Sequence, residues 1–237
     1  MHNIADYNRP NDKFKILIIR LSSIGDIILT TPLIRCVRNH YPSSEITFLA
    51  KKEYIDLLKT NPHLNHVMTY DKLSGTSGLK KIKKSIRLQK FDILIDIHKN
   101  LRSTYLRIGS AARIKTRYRK QIAKRTLLVW FKINLFKNIK PIYLRYFEAV
   151  SRFGIYYDDL GTEVFVTDKE TAKIKALLKK GGFNSVRPIM TICPGASFNN
   201  KRWKFEKFIE LSSYFQNSRN FFICILGGLR TLMRAKK

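Results

Sequence analysis

Residues 15–26 have the sequence KILIIRLSSIGD, an apolar run that passes into a short polar loop. The run Lys15–Arg20 is continuous rather than alternating, which is typical of a strand covered on both faces of a parallel sheet. Leu21–Asp26 predicts a turn, and Ile27–His40 predicts a helix with Pro32 in its early part. Strand, loop and helix in this order predict the first unit of a doubly wound α/β fold.

Short apolar runs continue to alternate with longer amphipathic ones along the chain. The predicted strands are Glu45–Ala50, His66–Tyr70, Phe91–Ile97, Pro188–Cys193 and Phe221–Leu226. The predicted helices are Lys52–Thr60, Ser77–Gln89, Tyr143–Phe153, Lys169–Lys180 and Lys204–Asn217. Residues 101–144 are basic and partly aromatic without a clean period, so their elements stay unassigned. The Asp- and Gly-rich stretch at 156–162 predicts a boundary between domains of residues 1–160 and 161–237.

The charge of the chain is strongly positive and unevenly distributed. Among 237 residues, 46 Lys and Arg face 17 Asp and Glu, a net charge of +29, yet 44% hydrophobic residues exclude a disordered basic tail. Residues 72–145 contain 21 Lys or Arg and only two acids, Asp92 and Asp96. Such a field attracts the phosphates of nucleic acids, anionic lipids or phosphorylated substrates, unless it reflects lysine-rich codon usage.

Several other classes of protein do not fit the sequence. The three cysteines are far apart and lack C-x-x-C spacing, which argues against a disulfide framework or a zinc site. The first residues lack the pattern of a secretory signal. The apolar stretch 15–34 is interrupted by Arg20 and Asp26, so it predicts a strand and a helix rather than a membrane span.

The loop Ser22–Asp26 is the first candidate site. Gly25 allows a tight turn and close backbone approach, the helix start favours anions or sugar hydroxyls, and Asp26 supplies a carboxylate. The alternative is that Ser23 or Asp26 only caps the following helix. The absence of G-x-G-x-x-G from the sequence argues against a dinucleotide site.

Two further loops follow predicted strands. Residues 96–103 place His98, Asn100 and Arg102 in one turn, which suits a polar acceptor with hydroxyls and anionic groups. Residues 194–203 place Lys201 and Arg202 before a helix start, which suits a diphosphate. Solvated surface residues are the alternative in both loops.

Together these blocks resemble bacterial glycosyltransferase family nine, the ADP-heptose:lipopolysaccharide heptosyltransferases. The blocks are KILIIRLSSIGDIILTTPLIRCVRNHYP at 15–42, FDILIDIHKNLRS at 91–103 and ICPGASFNNKRWKFEKFIELSSYF at 192–215. The resemblance implies an α/β fold of GT-B type, with a Rossmann-like N-terminal domain for the acceptor and a second Rossmann-like domain for the nucleotide sugar. It implies transfer of a heptose or related sugar from an ADP-sugar to the inner core of lipopolysaccharide, with inversion and without a metal or a further cofactor.

The resemblance also implies roles for individual residues. Asp26 would be the general base that takes the proton of the acceptor hydroxyl. The acceptor would contact Ser22, Ser23, Gly25, His98, Asn100 and Arg102, together with the basic helix near residues 80–84. The donor diphosphate would contact Ser197, Lys201 and Arg202. Lys99 departs from the pattern, because many members have glycine there.

The C-terminal end also departs from the family pattern. Family members continue through a D-[ST]-G-x-x-H motif that grips the diphosphate, and this sequence has no such motif. We therefore expect a truncated member with a partial second domain, unstable at its C-terminal end and of uncertain competence. A non-catalytic remnant or partner subunit stays open, as does a basic nucleic-acid-binding protein, although the sequence lacks any helix-turn-helix, RRM or zinc pattern. An anionic, amphiphilic acceptor would place the enzyme in the cytoplasm, held electrostatically at the inner membrane, without a nucleic-acid partner.

Overall fold

A computed structural model describes residues 12–119, 122–136, 138–196 and 199–227. The chain divides between Val166 and Thr167 into two compact units, called unit 1 and unit 2 below. Each unit contains a parallel sheet, which confirms the predicted fold class.

Unit 1 is built on a five-stranded parallel sheet with the strand order β3-β2-β1-β4-β5. Its strands are β1 (Lys15–Ile19), β2 (Glu45–Lys51), β3 (His66–Tyr70), β4 (Ile93–Asp96) and β5 (Ile114–Arg117). Its helices are α1 (Ile24–Ile28), α2 (Thr31–His40), α3 (Gly75–Gln89), α4 (Leu101–Gly109), α5 (Ile122–Phe131) and α6 (Ile142–Tyr146). The predicted strands in this unit are confirmed, and so is the helix that ends at Gln89.

Strand β1 lies in the centre of the sheet, between β2 and β4. Ile16 and Ile18 pack into one core on the α2 side, whereas Leu17 and Ile19 pack into a second core with Ile86 of α3. These four side chains are fully buried, whereas Lys15 at the start of the strand is exposed. A continuous apolar run is therefore what a strand with a core on each face requires.

The helix predicted at Ile27–His40 is interrupted, because α1 ends at Ile28 and α2 begins at Thr31. Pro32 has no N–H to donate to the carbonyl of Ile28 four residues earlier. The hydroxyl of Thr31 donates to that carbonyl instead, at 2.8 Å. The helix also begins earlier than expected, at Ile24 after the N-cap Ser23, so Asp26 lies inside α1 rather than before it.

Other local predictions are wrong in detail. The helix predicted at Lys52–Thr60 is a 3-10 helix over Lys52–Leu57. The helix predicted at Tyr143–Phe153 consists of α6 and two 3-10 turns. The unassigned stretch 101–144 contains α4, β5 and α5. Strand β5 escaped prediction because its buried Ile114 and Thr116 alternate with basic residues over only four positions.

A buried group of charges ties the end of unit 1 to α2. Arg35, only 7% exposed, donates from Nε and Nη2 to the two carboxylate oxygens of Asp158, at 2.7 and 2.9 Å, and from Nη1 to Glu163 at 2.6 Å. Nε2 of His63 lies 3.3 Å from Glu163 Oε1. We call these four residues the Arg35 cluster. It keeps residues beyond 160 within unit 1, so the compact unit continues six residues past the boundary expected from the sequence.

The described part of unit 2 contains a two-stranded parallel sheet of β6 (Ile189–Ile192) and β7 (Phe222–Ile225). Helix α7 (Asp168–Lys180) precedes β6, and α8 (Phe205–Arg219) connects the two strands. These elements confirm the strands and helices predicted after residue 167, within one to two residues at most ends. No helix in the described ranges is both long and apolar enough to span a bilayer.

Candidate active site

Two of the candidate loops meet at one edge of the sheet in unit 1. β1 and β4 are neighbouring parallel strands, with Ile19 opposite Asp96, so the loops that follow them leave side by side. The strand order reverses between β1 and β4, because β2 and β3 lie on one side and β5 on the other. In open α/β sheets, ligands bind beyond the carboxyl ends of the strands at such a reversal point.

Asp26 lies at this edge and is held by three neighbours. Its Oδ2 accepts from the backbone N of Ser23 at 3.2 Å and from Ser23 Oγ at 2.9 Å, and it lies 2.8 Å from Nη2 of Arg20. Its Oδ1 accepts from the hydroxyl of Tyr146 at 3.4 Å. About a third of the Asp26 side chain, 34%, is exposed. The carboxylate therefore has one anchored oxygen and one oxygen with a single long contact.

Arg20 connects the two loops. It is 7% exposed, and its Nη1 donates to the carbonyl of Ile97 after β4 at 2.8 Å while Nη2 pairs with Asp26 after β1. The guanidinium also lies 5.3 Å from the ring centre of Tyr146, a cation–π contact. A planar guanidinium with five donors suits such a junction better than a lysine would.

These contacts set the charge state of the edge. Partial burial by itself would raise the pKa of Asp26, but the Arg20 charge and the hydrogen bonds from Ser23 and Arg20 outweigh it, so the pKa lies below its ordinary value. Burial raises the pKa of Tyr146, which keeps its hydroxyl protonated and able to donate. At neutral pH the edge thus presents an ionised carboxylate beside a neutral phenol.

The remaining residues of the first loop lie around Asp26 in different environments. Ser23 and Gly25 are exposed and Ser22 is partly exposed. Gly25 lies within α1 without a positive φ, so the predicted tight turn does not occur there. A side chain at position 25 would meet no atom within 4 Å, so the protein itself does not fill this space. Ser23 is the N-cap of α1, and the capping alternative therefore holds alongside the site hypothesis.

The side chain of Asp96 holds the second loop in its conformation through hydrogen bonds. This carboxylate is fully buried and accepts from the backbone N of His98 at 3.0 Å, from the backbone N of Lys99 at 2.9 Å and from Ser103 Oγ at 3.0 Å. Lys99 has a φ of 50°, in the left-handed region that favours glycine, which gives a physical reason for glycine at the corresponding position.

His98 and Asn100 are held in contact within this loop. Asn100 Oδ1 accepts from the backbone N of Ser103 at 2.9 Å as the N-cap of α4, which fixes the orientation of the amide. Its Nδ2 lies 2.7 Å from Nε2 of His98. Because an amide nitrogen only donates, Nε2 accepts and the ring hydrogen lies on Nδ1 in the neutral imidazole. Both residues are partly exposed.

Arg102 is exposed on the first turn of α4. Within the described ranges, no hydrogen bond or ion pair joins its side chain to another residue. The structure thus brings Ser22, Ser23, Gly25, Asp26, His98 and Asn100 to the edge formed by the β1 and β4 loops, and places Arg102 at the start of the adjacent helix.

The third loop lies in unit 2, between β6 and α8. Lys201 ends a 3-10 turn over Asn199–Lys201, and Arg202 follows it. Both are exposed, and Nε of Arg202 donates to the carbonyl of Ala196 at 2.7 Å, across the loop. Ser197 lies outside the described residues.

Arg20 and Tyr146 were not predicted as parts of the site. A sequence signal for Arg20 did exist, because it is a charged residue directly after a buried strand. A side chain at that position can reach the edge of the sheet where ligands bind. Tyr146 follows β1 by more than 120 residues in the chain, so no local spacing indicates its contact with Asp26. Among the described residues, no group of three or more His, Cys, Asp or Glu side chains could hold a metal ion.

A family comparison provides the wider context. The family model of glycosyltransferase family 9 (heptosyltransferase) matches residues 79–235, about two thirds of the chain. The chain is 27% identical over 239 residues to lipooligosaccharide heptosyltransferase 2 of Haemophilus ducreyi, covering 94% of this chain and 66% of that protein. It is 28% identical over 100 residues to lipopolysaccharide core heptosyltransferase OpsX of Haemophilus influenzae, covering 42% of this chain and 28% of that protein. The chain thus spans between 28% and 66% of these two proteins' length.

Two solved structures illustrate the likeness of the fold. A glycosyl transferase family 9 protein from Veillonella parvula superposes with a TM-score of 0.81 at 22% identity, covering 97% of this chain and 67% of that one. The Escherichia coli ADP-heptose lps heptosyltransferase II superposes with a TM-score of 0.69 at 19% identity, covering 94% and 67%. At these identities the likeness concerns the fold.

Proposed function

Because the chain belongs to glycosyltransferase family 9, we propose that it transfers a heptose or a related sugar from an ADP-sugar to the inner core of lipopolysaccharide, with inversion at the anomeric carbon. The relatives named as heptosyltransferases of lipopolysaccharide or lipooligosaccharide support the sugar and acceptor classes. An acceptor of this kind is anionic and lipid-linked, so we also propose that the protein works at the cytoplasmic face of the inner membrane.

The position of Asp26 is the observation that carries this proposal. A base for sugar transfer must be ionised at neutral pH, reachable by the acceptor and fixed in direction. Asp26 has a lowered pKa, is one-third exposed, and has one oxygen anchored by Arg20 and Ser23. Its other oxygen has only the long contact with Tyr146 and is the one that an acceptor hydroxyl would approach.

The proposed reaction is a single displacement. The acceptor oxygen attacks the anomeric carbon as the bond from that carbon to the diphosphate oxygen breaks, and the hydroxyl proton passes to Asp26. Attack from the face opposite the leaving group inverts the configuration. A carboxylate with a low pKa still takes this proton, because the hydroxyl becomes acidic as its bond to carbon forms.

The cations of unit 2 suit the departing ADP. Lys201 and Arg202 would neutralise the charge that develops on the diphosphate, as fixed positive groups do at phosphoryl leaving groups. Both side chains are exposed, and Nε of Arg202 donates to the carbonyl of Ala196.

The general-base role is tested with Asp26→Asn. We expect turnover to fall by at least about a hundredfold, within the usual range for a general base, while affinity for ADP-heptose stays within twofold. The measurements are ADP release with a heptose-free lipopolysaccharide core and donor binding by calorimetry. Asp56→Asn is the matched control, because Asp56 is 86% exposed and forms an ion pair with the nearby Lys59.

Two outcomes would change the proposal. Turnover retained in Asp26→Asn would remove Asp26 from the base role. Absence of ADP release from the unmodified protein, with donor and acceptor both bound, would favour the non-catalytic alternative.

A further inference from the structure

A surface segment of unit 1 exposes an unusual concentration of large apolar side chains. It comprises residues 124–136 and 138–140, from α5 onward, and is called the exposed segment here. Trp130 is 78% exposed, Phe131 66% and Ile139 80%. Val129, Ile133 and Leu135 are exposed by 46 to 57%. Single exposed apolar residues are ordinary, whereas several large ones close together in the sequence indicate an interaction surface.

The charges around these side chains are of one sign. Lys124 and Arg125 precede the apolar residues in α5, and Lys132 and Lys140 lie within or after them, all exposed. The sequence contains no Asp or Glu between Asp96 and Glu148. The exposed segment therefore combines apolar side chains with uncompensated positive charge.

The chain shortly before the exposed segment, at Tyr118 and Arg119, packs against residues near the candidate active site. The backbone N of Arg119 donates to Glu148 at 3.1 Å, and Nη2 of Arg145 donates to the carbonyl of Arg119 at 3.2 Å. The ring of Tyr118 contacts that of Tyr146 edge to face at 5.5 Å. Since the Tyr146 hydroxyl lies 3.4 Å from Asp26, Tyr118, which precedes the exposed segment in the chain, lies near the proposed base.

Charge and apolarity together select the partner. A second copy of this chain would bring the same cations against one another. Bases could stack on Trp130 and Phe131, but a nucleic acid would leave the aliphatic side chains of Val129, Ile133 and Ile139 in water. An anionic bilayer accepts both features, because cations bind lipid phosphates while aromatic and aliphatic side chains enter the boundary between headgroups and acyl chains.

We propose that the exposed segment docks the protein on an anionic lipid bilayer, with Trp130 and Phe131 inserted at the interface and the neighbouring cations on the lipid phosphates. This contact holds the candidate active site at the membrane surface. The inference deepens the membrane location in the proposed function, but it does not depend on which sugar is transferred.

Fluorescence of Trp130 tests the insertion directly. The chain has two tryptophans, so Trp203→Phe leaves Trp130 as the only reporter. We expect its emission to shift to the blue and to be quenched by brominated lipids when vesicles of phosphatidylethanolamine and phosphatidylglycerol are added. Pure phosphatidylcholine vesicles should cause little change. Unshifted emission with anionic vesicles at low salt would overturn the proposal.

Vesicle sedimentation of matched variants tests the segment. Trp130→Ser combined with Phe131→Ser should weaken binding at least tenfold, whereas Leu73→Ser combined with Leu88→Ser, also highly exposed, should leave it within twofold. Lys124→Gln combined with Arg125→Gln should weaken binding roughly 25-fold, since each charge at an anionic surface contributes about fivefold. Equal binding by the Trp130/Phe131 variant and its control would overturn the proposal. The proposal would also be overturned if the unmodified protein bound poly(U) but not vesicles. It would likewise be overturned if the protein did not bind vesicles and the variants changed its oligomeric state.

A soluble acceptor separates this proposal from the proposed function. With delipidated core oligosaccharide, the Trp130/Phe131 variant should retain transfer while it loses vesicle binding. If the unmodified protein binds vesicles but transfers no sugar to the soluble acceptor, only the proposed function is overturned.

Discussion

The two units differ in the environment of the arginine near their candidate loops. In unit 1, Arg20 is 7% exposed and contacts the Ile97 carbonyl, Asp26 and the Tyr146 ring. In unit 2, Arg202 occupies a comparable loop after a strand but is exposed, with one bond to the Ala196 carbonyl. The first cation is part of the scaffold that orients a carboxylate, whereas the second is available to a ligand. Preorganisation of charge thus belongs to the edge of the sheet in unit 1.

The strongest way to break this contrast is to remove each arginine in turn. We expect Arg20→Met to destabilise unit 1 by about 3 kcal/mol, because it leaves Asp26 without its buried counter-charge and the Ile97 carbonyl without its donor. The pKa of Asp26 should rise towards its ordinary value.

Arg202→Met should change the stability of unit 2 by less than about 0.5 kcal/mol, since an exposed side chain is lost. Hydrogen exchange measured peptide by peptide reports the two units separately. Equal costs in the two units would contradict the contrast.

The Arg35 cluster extends the contrast to pH. Its hydrogen bonds from Arg35 lower the pKa of Asp158 to about 2, against 3.8 for the ordinary carboxyl. The ionised form therefore stabilises unit 1 above about pH 4, and this stabilisation of about 2 kcal/mol is lost as the pH falls towards 2.

The measurement is urea unfolding of the unmodified protein and of Asp158→Asn between pH 6 and pH 2. The difference in unfolding free energy should be about 2 kcal/mol at pH 6 and should vanish near pH 2. In unit 2, Glu210→Gln should show no such pH-dependent difference, because the Lys207–Glu210 pair is 49% and 63% exposed. A difference for Asp158→Asn that stays constant with pH would show that its charge is not the cause.

The smallest effect concerns the ligand rather than the fold. Lys201→Ala should weaken ADP-sugar binding about tenfold, or about 1.4 kcal/mol, and leave the stability of both units unchanged. Calorimetry with ADP-heptose measures the affinity, and Lys179→Ala on α7 is the control because it is equally exposed. Unaltered affinity in Lys201→Ala would remove Lys201 from the phosphate site.

The fold could be predicted where burial alone dictates sequence. The run from Ile16 to Ile19 can be recognised as a strand from the sequence alone, because a strand with a core on both faces must be apolar throughout. Ser22–Asp26 could likewise be assigned to the ligand edge, since that edge follows from strand direction.

The remaining features of the fold and the site could not be predicted from local sequence. They depend on contacts between residues far apart in the chain or on the effect of a single residue within a helix. The contacts of Arg20 and Asp26 with Tyr146 depend on the packing of α6. The break between α1 and α2 depends on the single backbone N–H that Pro32 lacks. The apolar residues of α5 gave no period because they lie outside the core that would impose one. Periodicity in this sequence reflects which residues are buried. The exposed segment was therefore the part whose structure the sequence predicted least well.

The Arg35 cluster also bears on the synthesis of the protein. Arg35 is separated from Asp158 by 123 residues, so α2 leaves the ribosome with an unpaired cation on the side that will later be buried. At about 5–20 residues per second, its carboxylate partners follow after roughly 6–25 seconds. Until then the penalty for burying an unpaired guanidinium disfavours closure of that side of unit 1. The nascent unit therefore gains its final ion pairs only when Asp158 and Glu163 have emerged.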